Sequence, residues 1–219
     1  MNTHVPRVAL TYNKNSLARW LSHLDLIRTL ELAIRRSGIP VAYSQGFNPR
    51  PRLSFGPPLP LGATSAAEIA ALRLDHPADP RKLLERLNAQ LPAGIEITDA
   101  RDIPDSDPAL PAIHGSSYVV RVVCRATDPV GLLEKAITDF LSRNEVIAER
   151  MDKRVLKRVD IRPGVESLTI AEAEGNIAAL RMRISHAGQR ITRPSEVVQA
   201  LSGLGAEIEL LSIHRELFH

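Results

Sequence analysis

The chain has 219 residues, 44% of them hydrophobic, with a formal charge of +3 and a sequence pI of about 9.3. That apolar fraction supports a globular core and excludes a disordered chain, while the small basic excess permits an acidic partner without requiring one. The single cysteine, Cys124, excludes an intrachain disulfide and a cluster held by four thiolates of this chain.

The first half reads as a series of period changes. Arg7–Tyr12 alternates like a strand, and Leu17–Leu21 reads as its continuation past Asn13–Asn15. Ser22 followed by Asp25 has the spacing of a capping box, in which each residue bonds the other's backbone. Leu24, Ile27, Leu30 and Ile34 then recur at helical spacing, and Gly38 with Pro40 predicts the helix end. Leu53–Phe55 and Glu68–Asp75 read as strands. Pro80–Leu91 is a second helix opened by Asp79, and Ile95–Thr98 a closing strand. Residues Asp102 to Pro111, with three Pro and three Asp, read as the linker.

The same order recurs beyond the linker. Tyr118–Arg125 reads as a strand, and Asp128-Pro129 opens a helix with Leu132, Leu133, Ala136, Ile137, Phe140 and Leu141 on its apolar side. Val155–Ile161 and Ala179–Ile184 read as strands, Pro194–Leu201 as a helix and Ile208–Ile213 as the last strand. Both halves give β-α-β-β-α-β. The expected fold class is therefore α+β, as tandem ferredoxin-like units with antiparallel sheets over residues 1–101 and 113–219, joined by 102–112. Cys124 ends an apolar strand and is expected as a small buried hydrophobe. Met1–Pro6 lacks a cationic start with an apolar stretch behind it, and no apolar run nears the length of about 18–20 residues that a membrane helix needs. A cytoplasmic location away from membranes is expected.

Two segments carry unusual chemistry. Tyr43-Ser-Gln-Gly-Phe-Asn-Pro-Arg-Pro-Arg52 combines two aromatics with amides and arginines on a proline-stiffened chain. Tyr43 and Phe47 suit stacking on bases, Gln45 and Asn48 suit base edges, and Arg50 and Arg52 suit phosphates. The same loop also reads as a crossover whose Phe47 and Tyr43 plug the core, or as a surface for a protein partner. In the second segment, Arg150–Arg162, six of 13 residues are basic. Lys157, Arg158 and Arg162 there would meet a phosphate backbone, or the charges would simply guard a sheet edge. His23, beside a helix start, is the one candidate acid or base. No metal spacing, P-loop or nucleophile elbow occurs, and no cofactor is expected.

Leu21–Leu26, Tyr43–Arg52, Ser54–Gly62, Lys157–Pro163 and Ile213–Arg215 together resemble the radical-SAM-linked protein family of bacteria. The resemblance spans nearly the whole chain. It implies a radical-SAM enzyme, with a cobalamin-binding-type region, as fusion or neighbouring partner, sometimes close to a ribonuclease of the E/G type. An accessory role in RNA-related or radical-SAM chemistry follows, with no established catalytic residue to carry over. The chain lacks the Cys-x-x-x-Cys-x-x-Cys motif and would be the partner of the catalyst. A likeness of topology alone extends to CRISPR repeat-binding and repeat-cleaving proteins. The expectation is a non-catalytic RNA-binding module working with a radical-SAM enzyme. A metal-independent ribonuclease using His23, and a protein adaptor without RNA binding, are the alternatives.

Overall fold

The computed structural model describes residues 6–104, 106–152, 155–187, 191–205 and 207–219, and divides into two units, Met1–Ala112 and Ile113–His219. Both are mixed α and β, with four α-helices in total among the described residues and antiparallel pairing of neighbouring strands within each unit.

In the first unit, β1 (Arg7–Lys14) buries every second side chain, Val8, Leu10, Tyr12 and finally Lys14. The chain then tightens into a 3-10 turn, Ser16–Trp20, where the sequence pattern led us to expect more strand. Ser16 takes a positive φ of 50°, and the Asn15 amide donates to the Gly94 carbonyl, so the backbone turns before an alternating pattern could pair. Helix α1 (His23–Ser37) begins as expected. The Asp25 amide donates to Ser22 Oγ, whose hydroxyl donates in turn to Asp25 Oδ2. That hydroxyl bond is the main reason the Asp25 carboxyl lies below its ordinary value. The buried stripe is Leu26, Leu30, Ala33 and Ile34, so Leu24, expected inside, points outward. Gly38 ends the helix in the left-handed conformation at φ 62°.

Strands β2 (Leu53–Phe55), β3 (Thr64–Arg73) and β4 (Ile95–Asp102) complete the sheet, with α2 (Pro80–Asn88) between the last two. The order is β4-β1-β3-β2. The Asn88 amide clamps α2 to β4, donating to the Ile97 carbonyl and accepting from the Ile97 amide. Leu83 and Leu87 of α2 close over the same core as Leu26, Leu30 and Ile34. β4 runs four residues beyond Thr98, and Ile103 stays buried, its amide on the Arg7 carbonyl. The start of the expected linker thus belongs to the sheet.

Lys14 is buried in this core, and its Nζ donates to the Leu21 carbonyl at 2.8 Å and the Arg19 carbonyl at 3.5 Å. Burial pushes its ammonium below the ordinary lysine value, with Glu68 pulling the other way. Between the lowered folded value and the ordinary one of about 10.4, the unfolded chain holds more protons, so stability rises with pH in that window. Denaturation midpoints of the wild type should climb through it relative to Lys14→Met; parallel curves would contradict the assignment.

In the second unit the sheet order is β10-β5-β9-β8, formed by β5 (Gly115–Cys124), β8 (Val165–Glu174), β9 (Ile177–Ser185) and β10 (Ile208–Phe218). Helix α3 (Pro129–Ser142) starts at Asp128, whose carboxylate accepts from the Gly131 amide, and α4 (Pro194–Gly203) precedes β10. Leu133 and Phe140 of α3, Val197 and Leu201 of α4 and Leu180 and Met182 of β9 are all fully buried. Cys124 is buried as expected, and burial raises its thiol.

One assignment changes. Val155–Ile161 was expected as a strand of the sheet, but β7 (Val155–Asp160) pairs only with β6 (Ile147–Asp152) in a separate two-stranded hairpin. The place in the sheet belongs to β8, where only Val165 and Leu168 are fully buried and the outer positions are polar or small. A strand so weakly apolar carries little signal in sequence.

Candidate functional site

The chain leaving α1 is laced to β3 before it projects. The Ala42 amide donates to the Arg73 carbonyl, the Arg73 amide to the Arg52 carbonyl, and the Arg52 amide back to the Ala42 carbonyl. Tyr43 bridges to Pro51, the Ser44 amide donates to the Arg50 carbonyl, and the Arg50 amide donates to Ser44 Oγ. These bonds close a neck, beyond which Gln45, Gly46, Phe47, Asn48 and Pro49 project, all exposed. Gly46 has φ 126°, a conformation side chains rarely adopt, and it lets the chain reverse at the tip.

Phe47 is 104% exposed and Tyr43 39%, so neither ring plugs the core. That outcome removes the crossover-plug reading of this loop. A phenyl ring held fully in water on a stitched loop has no packing role in the first unit. Arg50 and Arg52 are exposed, and their guanidiniums have no partner among the described residues. The loop also touches α1, because Arg35 Nη2 donates to the Pro49 carbonyl at 3.4 Å. Arg35 and Arg36, which the sequence reading passed over, stand exposed in the last turn of that helix. The available signal was a pair of arginines just before Gly38, ordinarily read as complementing the helix dipole.

His23 is the first residue of α1. Its ring sits edge-on to Phe55, with centroids 5.7 Å apart at 82°, and no described residue hydrogen-bonds it. Near it in sequence, Trp20 is 58% exposed with Arg19 4.9 Å over its ring, and Leu17, Leu24 and Leu61 are exposed as well.

The basic segment of the second unit is divided in its duties. Arg150 forks onto Glu196, Nε to Oε1 at 2.7 Å and Nη2 to Oε2 at 2.8 Å, and its Nη2 also reaches the Ile191 carbonyl. Arg162, expected at a phosphate, is turned inward instead. It donates from Nε and Nη2 to the Leu141 carbonyl, from Nη1 to the Val165 carbonyl, and lies over Phe140. It caps the end of α3, whose last carbonyls lack helical partners. Lys157 is half-buried beside Val159 on the inner face of the hairpin, while Arg158 is exposed on the outer face opposite Glu149. Lys153 and Arg154 lie outside the described residues. Among the described residues no group of three or more His, Cys, Asp or Glu is arranged to hold a metal, and no helix is long and apolar enough to cross a membrane.

Over 95% of its length the chain is similar in structure to a chain in the crystal structure of a Cbf5-Nop10-Gar1 complex, at 13% identity and a TM-score of 0.52. A chain of the archaeal box H/ACA sRNP Nop10-Cbf5 complex is similar over the same share, at 11% identity and a TM-score of 0.48. This chain spans about half the length of those proteins, 47% and 46% respectively. Likeness at such low identity concerns the fold. No curated protein matches the sequence. The model of the family described as "Uncharacterized protein conserved in bacteria (DUF2344)" matches residues 7–194, and the chain belongs to that family.

Proposed function

We propose that this protein is a non-catalytic, cytoplasmic RNA-binding module that serves an enzyme acting on RNA. Its first unit would engage RNA through the loop from Tyr43 to Arg52. The observation that carries this reading is Phe47, wholly exposed on a loop whose Arg50 and Arg52 guanidiniums no described residue engages. An aromatic face flanked by arginines matches a base flanked by its phosphates. Gln45 and Asn48 beside it offer donors and acceptors to a base edge. From the second unit Arg158 would add a phosphate contact. The resemblance of the sequence motifs makes a radical-SAM enzyme the proposed partner. We read both units as ferredoxin-like, because each follows a β-α-β-β-α-β order with the fourth strand beside the first and the third between first and second. The hairpin of the second unit is then an insertion. The solved chain with a TM-score of 0.52 belongs to an assembly of several proteins, which is compatible with a module that works beside partners.

The test is binding of mixed cellular RNA, followed by fluorescence anisotropy in chelator. Affinity should fall steeply with salt as counterions are released, and the RNA should stay intact. Phe47→Ala should weaken binding about tenfold, since a stacked base contributes ~1–3 kcal/mol, and should leave the melting temperature unchanged because the ring buries nothing in this chain. Affinity indifferent to salt, or no affinity, sinks the reading. Cleaved RNA would point to the ribonuclease alternative through His23. The exposed Trp20, Leu17 and Leu61 favour a second role as a protein adaptor, to be sought as co-purification that survives nuclease treatment.

A further inference from the structure

Resting on the RNA reading, we infer that the site takes an unpaired strand and not a duplex, and that the last turn of α1 forms part of it through Arg35 and Arg36. Phe47 presents its whole ring at the tip of a narrow loop. A paired base within an A-form helix has both faces covered by its neighbours, and such helices are met through phosphates and 2′-hydroxyls across a shallow groove. A protruding phenyl gains nothing there, whereas an unpaired base offers it a free face. Tyr43 at the neck provides a second, half-exposed ring.

The helix enters through its bond to the loop. Arg35 Nη2 reaches the Pro49 carbonyl, two residues past Phe47, which holds the last turn of α1 against the loop. That contact uses one of five N–H donors of the guanidinium, and Arg36 beside it has no partner among the described residues. Arg28, the one other arginine of α1, is different: it pairs with Asp25 at 3.3 Å, two turns before Arg35. Arg35, Arg36, Arg50 and Arg52 therefore form a set of four exposed cations on two connected segments, with the aromatic tip between them in sequence. Complementing the helix dipole explains a positive charge in a last turn. It does not explain why Arg35 bonds the carbonyl of the projecting loop.

The experiment compares one short RNA, free and annealed to its complement, against the wild type, Phe47→Ala and Arg35→Gln/Arg36→Gln, each checked by circular dichroism for an unchanged fold. The single strand should bind about tenfold more tightly than the duplex, a preference that Phe47→Ala mostly abolishes. The double glutamine variant should flatten the salt dependence of single-strand binding by about 1.4 in the logarithmic slope, the effect of two lost phosphate contacts. Equal affinity for the two forms, with salt-dependent binding retained, overturns the single-strand inference while leaving the RNA reading standing. An unchanged slope removes the helix from the site. Absence of binding to both forms overturns the inference together with the reading beneath it.

Discussion

Replacing Glu196 with alanine should lower the unfolding free energy by about 3–5 kcal/mol, the usual result of taking one partner from a buried ion pair. Glu196 is 7% exposed at its side chain and Arg150 12%, so water replaces little of what is lost. The carboxylate accepts from two nitrogens of Arg150, and its Oε2 also accepts from the Arg193 amide at the start of α4. One substitution therefore takes the carboxylate from a guanidinium in a poorly solvated place and removes its bond to the Arg193 amide at the start of a helix whose Val197 and Leu201 are core residues. Glu196→Gln keeps the shape and part of the bonding and should cost less. Urea denaturation measures both. A loss below about 1 kcal/mol would mean that the pair behaves like a surface ion pair.

Arg162→Ala should cost about 2–4 kcal/mol, given that single hydrogen bonds to charged groups contribute about 1.5–3 kcal/mol and this residue makes several. The Leu141 and Val165 carbonyls lose their charged donor, and the ring of Phe140 loses the cation above it. Arg162→Lys should recover only part of the loss, because an ammonium cannot fork between two carbonyls held in these directions. RNA affinity at temperatures where the variant stays folded should not change. Weakened RNA binding with full stability would return Arg162 to the interface, against the inward geometry seen here.

The candidate loop was legible as unusual because its composition departs from both neighbours: aromatics, amides, prolines and arginines crowd into ten positions. Its use was not legible. The same letters fit a core plug and an exposed tip, and only the neck bonds between Ser44 and Arg50 decide for the tip. The basic segment misled for a similar reason. Charge is visible in sequence, but whether a guanidinium faces water or a helix end depends on which carbonyls lie near it in space. Arg158 and Arg162 are four positions apart and have opposite fates.

What the sequence determined by itself is local. Ser22, Asp79 and Asp128 start helices because their side-chain oxygens satisfy amides within three residues, and Gly38 stops one because it adopts a left-handed φ freely. Alternation over Arg7–Tyr12 sufficed for β1, since a buried face recurs at every second residue. Tertiary structure alone decided the rest. It placed Lys14 inside the first unit, where two carbonyls of the following turn receive its ammonium. It gave β8 its place beside β9, through backbone bonds that any sequence can make, and left Val155–Asp160, which alternates no better, in a hairpin of its own. It left Phe47 in water, because the bonds that hold the loop run between backbone atoms and the Ser44 and Arg35 side chains, and none of them draws the ring inward.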